Sequence, residues 1–443
     1  MRSTISKLLS ENRVRIVERE VDPKFELAAV VATSQKESDA PILFNNVKGS
    51  DFPVICNIYG SNDRLREMVG VTEGGFCQNW SQTIKEAMYL DESYINLPEP
   101  EQRQNGSLSD LPWITWREKD AGPYITSGVV MVKDPETGIP NLSFSRGQII
   151  SGDEVRCCFD AVQDLAKYQA KAEAKNEALE IAWLIGAPPS VFLAACTTIG
   201  IDEDELKIAA QVSGGTIDMR QCEEIDLLVP LETEIVVEAR IKPHERRSEA
   251  PFGEFMGFYC EENQGYVADI VNVSWRENAY YHGLLCGSRE DLTAVHACYA
   301  TRAYRELTES IPGIIDVSCN TTLHCTVVKI NKQFEGQAQQ VFLKVFATNP
   351  HYNYACMVVD EDVDIYDLND VWWAYLNRGD IAERTMILSD IPAGYDYSQP
   401  TLQNGRIGID ATAPYGQLHK FKRCNTPEES KIKMNDYLAK PLV

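Results

Sequence analysis

The sequence predicts a mixed fold of α-helices and β-strands, divided into two or three domains. The chain has 443 residues, which is more than a single hydrophobic core usually holds. Strand patterns dominate Ile114 to Ile150, whereas strand and helix patterns alternate after Pro312. A long amphipathic segment, Glu290 to Ser310, separates the two regions. We therefore expect a strand-rich central domain and a C-terminal α/β domain joined by a helix.

The region before the central strands combines helix, strand and loop patterns. Met1 to Val17 predicts an amphipathic helix followed by a charged connector. Leu27 to Gly60 is typical of apolar strands that alternate with turns. The polar segment Leu97 to Leu108 is rich in Pro and Gln and predicts an exposed loop.

The middle of the chain again alternates between the two patterns. Glu154 to Glu177 predicts a helix, because its apolar residues form one stripe and Lys167 to Lys175 is strongly helix-forming. The apolar region Ala178 to Ile201 contains charged and Pro residues, so it predicts a buried strand, a turn and a helix, not a membrane span. Further strands are predicted at Leu227 to Ala239 and Gly265 to Trp275.

The last third of the chain begins with the long helix. In Glu290 to Ser310 apolar residues recur three or four positions apart, and Pro312-Gly313 ends the pattern. The α/β pattern that follows predicts strands and helices at Cys325 to Ile330, Gln337 to Ala347, Ala355 to Val359 and Leu368 to Leu376.

Composition and charge narrow the class of partner. Hydrophobic residues make up 44% of the chain and charged residues 24%, as in an ordinary soluble globular protein. The net charge of −24 would repel phosphate backbones, so we expect no nucleic-acid partner. An anionic substrate would need a local basic pocket, which Arg146 or the pair Arg246 and Arg247 could supply.

Cysteine usage and motif searches exclude several kinds of site. The 13 cysteines are scattered without a C-x-x-C pair, and Met1 to Glu20 does not resemble a secretory signal. We therefore expect reduced thiols in a cytoplasmic protein with no membrane contact. The chain contains no G-x-x-x-x-G-K-[ST], G-x-G-x-x-G or H-E-x-x-H motif, which argues against the corresponding phosphate and zinc sites.

The segment Glu245 to Glu254 predicts a site because it sets two carboxylates, Glu249 and Glu254, on either side of a Pro-Phe-Gly turn. Pro251 fixes φ, and Gly253 can adopt a backbone conformation closed to other residues. Acids held at a fixed separation suit a pair in which one donates a proton and the other is a charge partner. The alternative is a solvated loop with surface ion pairs.

Four sequence blocks, each weak alone, give a strong signal together. In chain order they are Asn141 to Arg146, Arg246 to Gly257, Val358 to Ala374 and Gly408 to Thr412. Their combination resembles the UbiD family of decarboxylases, which use prenylated FMN. The block around Glu249 looks closest to members that act on phenolic or heteroaromatic acids such as vanillate.

The resemblance implies a fold and a division into domains. It implies an α+β architecture in which a split β-barrel binds the flavin, a long helix follows, and a C-terminal α/β domain mediates oligomerisation. The corresponding ranges are an N-terminal α/β portion at 1–110, the barrel at 111–289, the connector helix at 290–312 and the C-terminal domain at 313–443.

The resemblance also implies catalytic roles for three residues. Arg146, Glu249 and Glu254 match the family's Glu-Arg-Glu network. Glu254 matches the proton donor, Arg146 matches the residue that holds the substrate carboxylate against the flavin, and Glu249 matches the ion-pair partner of Arg146. A general acid needs a raised pKa, which burial beside another carboxylate provides. Arg is the side chain that grips a carboxylate through two hydrogen bonds.

The same comparison implies cofactor and metal ligands. Asn141, Gln163 and Glu205 match the ligands of a divalent metal, Mn2+ or Mg2+, with K+ as a further candidate ion. Gln163 is a departure, because the family has His at that position. The residues expected to bind the cofactor are Asn141, Ser143, Phe144, Ser145, Arg146, Gln163, Ala195, Cys196, Thr197, Glu205 and Arg406.

The implied function is non-oxidative, reversible decarboxylation of an aromatic, heteroaromatic or α,β-unsaturated carboxylic acid. The implied partners are the small acid, a flavin prenyltransferase that supplies the cofactor, and further copies of the chain in a homodimer or larger oligomer. The alternative is a divergent flavin-binding homologue without decarboxylase activity, either an isomerase or an assembly partner. Gln163 is the residue that favours this alternative.

Overall fold

The helices and strands of the protein alternate along the chain as a mixed α/β fold. The computed structural model describes residues 1–71, 75–99, 101–159, 163–261, 263–348, 353–389, 391, 405–424, 426 and 437. The α-helices of these ranges are α1 (Arg2–Ser10), α2 (Glu26–Glu37), α3 (Asn62–Met68), α4 (Phe76–Ala87), α5 (Asp164–Ala174), α6 (Pro189–Ala195), α7 (Glu205–Val212), α8 (Arg289–Thr308), α9 (Gln337–Thr348) and α10 (Leu368–Arg378).

The strands of the same ranges are numbered in chain order. Those before the long helix α8 are β1 (Arg15–Val17), β2 (Ile42–Phe44), β3 (Val54–Cys56), β4 (Ile95–Asn96), β5 (Gln104–Gly106), β6 (Tyr124–Ile125), β7 (Val129–Lys133), β8 (Pro140–Phe144), β9 (Gly147–Ile149), β10 (Glu154–Cys157), β11 (Leu179–Ile185), β12 (Ile217–Gln221), β13 (Leu228–Pro230), β14 (Ile235–Glu249), β15 (Phe252–Gly253), β16 (Tyr259–Cys260), β17 (Asn263–Trp275) and β18 (Tyr281–His282). Those after it are β19 (Ile314–Asn320), β20 (Cys325–Ile330), β21 (Ala355–Asp360), β22 (Thr385–Ser389) and β23 (Gly405–Ala411).

The central antiparallel sheet is curled. Its strand order is β6-β9-β10-β17-β14-β11-β7-β8, with β5 paired to β17. In this order β8 is the last strand, and β9 is the second strand from the opposite end. Along the chain, however, only Ser145 and Arg146 separate β8 from β9. Three Cα steps span at most about 10 Å, so the two ends of the sheet must lie close together. The sheet is the split barrel that the family resemblance predicts.

The interior of the barrel is filled where its two ends approach. Trp183 of β11 is fully buried, and its Nε1 donates a hydrogen bond of 3.2 Å to the carbonyl oxygen of Ser145. A Cβ atom at Gly147 would lie 3.4 Å from the Trp183 ring, so the strand backbone passes directly over the indole. This packing fixes the short link that contains Arg146.

A second sheet joins the N-terminal segment to the start of α8. It has the order β1-β2-β3-β18, with β18 parallel to β3. The buried Glu290 accepts hydrogen bonds from the backbone N–H groups of Asn57, Ile58 and Tyr59, and it lies 3.0 Å from Nε2 of His282. One carboxylate therefore connects α8 to both β18 and the segment after β3.

The C-terminal sheet, of order β19-β20-β21-β23-β22, separates two helical layers. In β21, Cys356 and Val358 pack with α9, and Met357 and Val359 pack with α10, as the alternation of a strand requires. The acidic strand end binds a cation of its own chain, since Arg378 donates to Asp360 (2.6 Å) and to Asp362 (2.7 Å). The predicted strands and helices of this region are confirmed.

Two predictions of local structure are wrong in part. The helix predicted over Glu154 to Glu177 begins only at Asp164, because β10 pairs with β9 and β17 and its residues alternate between more and less buried. Val162, counted in the predicted stripe, lies outside the described residues. Leu27 to Gly60 begins with α2, where strands were predicted, because its apolar side chains also satisfy a helical repeat.

Two further features concern the cysteines and the helices. All 13 cysteines are free thiols. Within the described ranges, no helix combines the length and the hydropathy that crossing a membrane requires.

We predict that Glu290→Gln destabilises the protein. The amide keeps the shape of the side chain but replaces one acceptor oxygen with a donor that faces backbone N–H groups. Hydrogen bonds to a charged acceptor contribute about 1.5–3 kcal/mol each, so we expect a loss of at least that size in the free energy of unfolding, measured in urea. The exposed Glu309→Gln, at the C-cap of the same helix, is the control; equal unfolding midpoints for the two variants would contradict the role of Glu290.

Candidate active site

Three charged side chains from separate segments of the chain meet at one side of the barrel. Arg146, in the link between β8 and β9, donates from Nε to Glu249 Oε1 and from Nη2 to Glu249 Oε2, both at 2.9 Å. Its Nη1 contacts Oε1 of Glu254, and its Nη2 lies 3.3 Å from the Cys260 sulfur. Glu249 is at the end of β14 and is fully buried. The predicted residues are therefore in direct contact.

The hairpin of β15 and β16 holds Glu254 in position. Gly253 does not use the conformational freedom of glycine, because it lies in the short strand β15, and the positive φ of this turn (72°) belongs to Ala250. Glycine is required for space, since a Cβ atom at residue 253 would lie 2.1 Å from Cδ of Arg117. Arg117 in turn donates to the Cys286 carbonyl oxygen at 2.6 Å, which links the hairpin to the segment before α8.

Burial sets the electrostatics of the cluster. Burial alone would lower the pKa of the Arg146 guanidinium, but the hydrogen bonds to Glu249 and the charge of Glu254 reverse this effect, and the net shift is upward. Burial raises the pKa of the Glu254 carboxyl; the Arg146 charge opposes this shift and the Glu249 charge adds to it. The cluster thus pairs a permanent cation with an acid that keeps its proton to a higher pH than usual.

Two adjoining cavities open beside the cluster. The smaller, about 220 Å³, is lined by Arg146, Glu254 and the aromatic ring of Phe252, among others. The larger, about 580 Å³, extends along α8 and reaches Asn141 and Glu205. The other basic residues considered from the sequence are paired elsewhere: Arg246 with Glu173, and Arg247 with Glu154 and Glu245.

The three residues predicted to bind a metal line the larger cavity. Asn141 donates from Nδ2 to Glu205 Oε1 at 3.1 Å, while its Oδ1 is buried without a hydrogen-bond partner. Glu205 is buried, and this burial raises the pKa of its carboxyl well above the ordinary value. Gln163 precedes α5 and borders the same cavity. Among the described residues no three His, Cys, Asp or Glu side chains form a metal-binding group, and the predicted set contains one acid and two amides.

Most of the other predicted cofactor residues also border these cavities. Ser143 lines the larger one, and its hydroxyl is buried without a partner. Ser145 lines the smaller one. A hydrogen bond with Cys298 and burial both raise the pKa of the Cys196 thiol, which suits a packing role. The remaining lining residues of this set are Phe144, Ala195 and Thr197.

Arg406 is the predicted residue that stands apart. It belongs to β23 of the C-terminal sheet, where its guanidinium lies 5.0 Å from the ring centroid of Tyr354. It lines neither of the two cavities. The structure therefore does not bring it together with Arg146.

The cavity walls also contain residues that sequence reasoning missed. Asp291, in the first turn of α8, lines both cavities, and Cys286 and Cys158 line the smaller one. One sequence signal pointed to Asp291, its place as an acid near the start of a predicted helix. Acids in such positions are usually solvated. Only the folded arrangement of α8 places Asp291 in the wall of both cavities.

Family models cover nearly the whole chain. The three that match are the N-terminal domain (residues 5–84), the Rift-related domain (96–289) and the C-terminal domain (294–411) of 3-octaprenyl-4-hydroxybenzoate carboxy-lyase, UbiD. A curated relative, anhydromevalonate phosphate decarboxylase of Methanothermobacter thermautotrophicus, is 30% identical over 436 residues, which is 97% of this chain and 100% of the relative.

Solved structures agree with the family models. The UbiD-class enzyme HmfF of Pelotomaculum thermopropionicum, in complex with FMN, superposes with a TM-score of 0.90 at 28% identity over 99% of both chains. An evolved dimeric form of HmfF, in complex with prFMN, gives 0.85 at 27% identity over 99% of both chains. The vanillic acid decarboxylase of Sedimentibacter hydroxybenzoicus, in open form, gives 0.85 at 25% identity over 97% of this chain and 96% of that enzyme. The chain belongs to the UbiD family of carboxy-lyases.

Proposed function

We propose that this protein is a reversible, non-oxidative decarboxylase that uses prenylated FMN. The observation that supports this most directly is the Arg146, Glu249 and Glu254 cluster, whose members contact each other beside a cavity. A cation that can grip a carboxylate, and an acid with a raised pKa, are the two groups that decarboxylation with protonation requires.

Arg146 would hold the carboxylate that is lost. Glu249 occupies Nε and one N–H of Nη2, and Cys260 is near the other N–H of Nη2. The two N–H groups of Nη1 remain for Glu254 and for a ligand. Protonation of Glu254 removes its negative charge and weakens its hydrogen bond with Nη1 of Arg146. A substrate carboxylate can then bind Nη1 in its place.

Glu254 would donate the proton. Loss of CO2 breaks the carbon–carbon bond and leaves its electron pair on the substrate. The Glu254 proton then forms the new C–H bond, so that the acid becomes CO2 and the protonated product. Burial and the neighbouring Glu249 charge keep Glu254 protonated to higher pH than an exposed glutamate, which supports this role.

The cofactor would occupy the larger cavity. When bound, prenylated FMN supplies the electron sink that no protein side chain offers. The orphaned Asn141 Oδ1 and Ser143 hydroxyl, together with the buried Glu205 carboxylate, support an oxygen-rich metal site for Mn2+ or Mg2+ that anchors the cofactor phosphate. Gln163 would complete the ligand set through its carbonyl oxygen, and K+ is a further candidate ion.

The substrate would be an aromatic, heteroaromatic or α,β-unsaturated carboxylic acid. Names of the relatives include decarboxylases of vanillic acid and of anhydromevalonate phosphate, which supports that range. A flavin prenyltransferase would supply the cofactor, and copies of the chain would associate in a homodimer or larger oligomer, as the dimeric relative suggests.

The second candidate is a flavin-binding homologue without decarboxylase activity. Gln163, which lines the same cavity as Asn141 and Glu205, favours it, because the family has His at this position and the exchange alters the geometry of the ligand set. Co-expression with a flavin prenyltransferase separates the two candidates. A purified protein that retains flavin but releases no CO2 from a panel of acids would support the second.

We predict that Glu254→Gln abolishes CO2 release without unfolding the protein. The amide preserves volume and can still accept a hydrogen bond from Arg146, but it has no acidic proton, so the rate should fall by about 10²-fold or more. Circular dichroism and flavin absorbance check folding and loading. The exposed Glu118→Gln is the control, and full activity of the Glu254 variant would end its assignment as proton donor.

We predict that the decarboxylation rate of the loaded protein falls as pH rises. Glu254 must carry its proton to act, so activity is present below its pKa and is lost above it. Because burial raises this pKa, the midpoint should lie above the ordinary glutamate value of 4.5. A pH profile of kcat measures it. A rate that rises with pH across the same range would rule out Glu254 as the acid.

We predict that one divalent ion binds per chain and that Glu205 is required for it. Glu205→Gln removes the negative charge from the ligand set, so metal content, measured by elemental analysis of the loaded protein, should fall about tenfold together with retained flavin. The exposed Asp202→Asn is the control. Unchanged metal content in the Glu205 variant, or flavin retention that survives complete chelation, would contradict the site.

A further inference from the structure

Asp291 is an acid at the candidate site for which the proposed chemistry has no role. It lies in the first turn of α8 and lines both cavities at the place where they adjoin. The smaller of these cavities also contains Arg146 and Glu254. A carboxylate in this position faces whatever occupies the space beside the catalytic cluster.

The partners of Asp291 are few. Its Oδ2 accepts a hydrogen bond of 2.7 Å from the backbone N–H of Gly287, and the Cys286 thiol also hydrogen-bonds to it. Among the ion pairs of the described residues, none includes Asp291. The carboxylate therefore has acceptor capacity left for a donor in the cavity.

The charges around Asp291 do not neutralise it. Burial raises the pKa of its carboxyl to about 6, with smaller upward contributions from the charges of Glu254 and Glu290. At pH 7 and above the group is still mostly ionised. An ionised carboxylate accepts hydrogen bonds but cannot donate one.

Acidic side chains outnumber basic ones in the wall of the smaller cavity. Of the charged side chains that line it in the described residues, Arg146 is the cation, and Glu254 and Asp291 are acids. Glu249 already accepts hydrogen bonds from Nε and Nη2 of Arg146. One substrate carboxylate can bind Arg146, but a second anionic group on the same molecule would meet the carboxylate of Asp291, and like charges at short range cost free energy.

We propose that Asp291 determines substrate specificity: it accepts a hydrogen bond from a hydroxyl or amino substituent of the acid and excludes acids that have a second anionic group. The inference rests on the proposed function and narrows its substrate class. With the cofactor in the larger cavity, the remaining space of about 220 Å³ would suit a small acid. The substrate would therefore differ from that of the curated relative whose name includes a phosphate.

The test is a set of binding titrations by calorimetry at pH 7.5 with the full-length protein loaded with FMN, so that binding is measured apart from turnover. The probes are benzoate, 3- and 4-hydroxybenzoate, and terephthalate. We expect wild-type protein to bind one of the hydroxybenzoates about tenfold more tightly than benzoate, and terephthalate more weakly than benzoate, because a hydrogen bond to a charged acceptor contributes to binding and a second carboxylate is repelled. Asp291→Asn should remove the discrimination against terephthalate and weaken the preference for the hydroxybenzoate, because its amide oxygen is an uncharged acceptor, and Glu309→Gln should keep both preferences.

The outcomes separate this inference from the proposed function. The wild-type preferences can be measured even if Asp291→Asn does not fold, and Asp291→Glu, which keeps the charge, should still disfavour terephthalate. Equal affinities for the four acids in wild-type protein, or binding of none of them, would overturn the role of Asp291. CO2 release is assayed separately. A protein that shows the binding preferences but never releases CO2 would support the specificity role and contradict the decarboxylase.

Discussion

The ion pair between Arg146 and Glu249 is the interaction on which the candidate site depends. Two parallel hydrogen bonds of 2.9 Å join the groups, and Glu249 is fully buried. Removing two charges from water costs several kcal/mol, and this cost is offset only when the geometry is close to ideal. Either partner alone would be an uncompensated buried charge. The pair thus orients the Arg146 guanidinium, and Glu254 and the cavity wall are arranged around it.

The curl of the barrel is what brings this pair together. The two-residue link between β8 and β9 closes the gap between the ends of the sheet, and Trp183 packs against that link from within. Arg146 therefore projects from a segment that can move little. Groups held on a rigid scaffold keep the geometry that catalysis needs and lose less entropy when they bind a ligand. The raised pKa of Glu254 follows from the same enclosure.

Predictions from the sequence succeeded where local pattern and final structure agree. The strand Cys325 to Ile330 and the helix from Glu290 were read from periodicity, and both are found as β20 and α8. The helix prediction is wrong at Glu154 to Cys157, which forms a strand because pairing with two neighbouring strands outweighs the helical pattern of apolar residues. The sequence pointed to the backbone freedom of Gly253, whereas in the structure the lack of a side chain at Gly253 makes room for Arg117. In both cases, contacts with residues that are distant in the sequence decide the local structure.

The order of residues establishes which chemical groups are present and how local ones are spaced. Glu249 and Glu254 are five positions apart around a turn, and the four motif blocks were sufficient to identify the family. The tertiary structure alone decided that Arg146 meets an acid 103 residues away, that Asn141 touches Glu205, and that Asp291 faces the cavity and Arg406 does not. Contacts of this kind result from burying residues that are remote in the chain, and the energy that drives this burial is spread over the whole core. No local sequence pattern encodes these contacts.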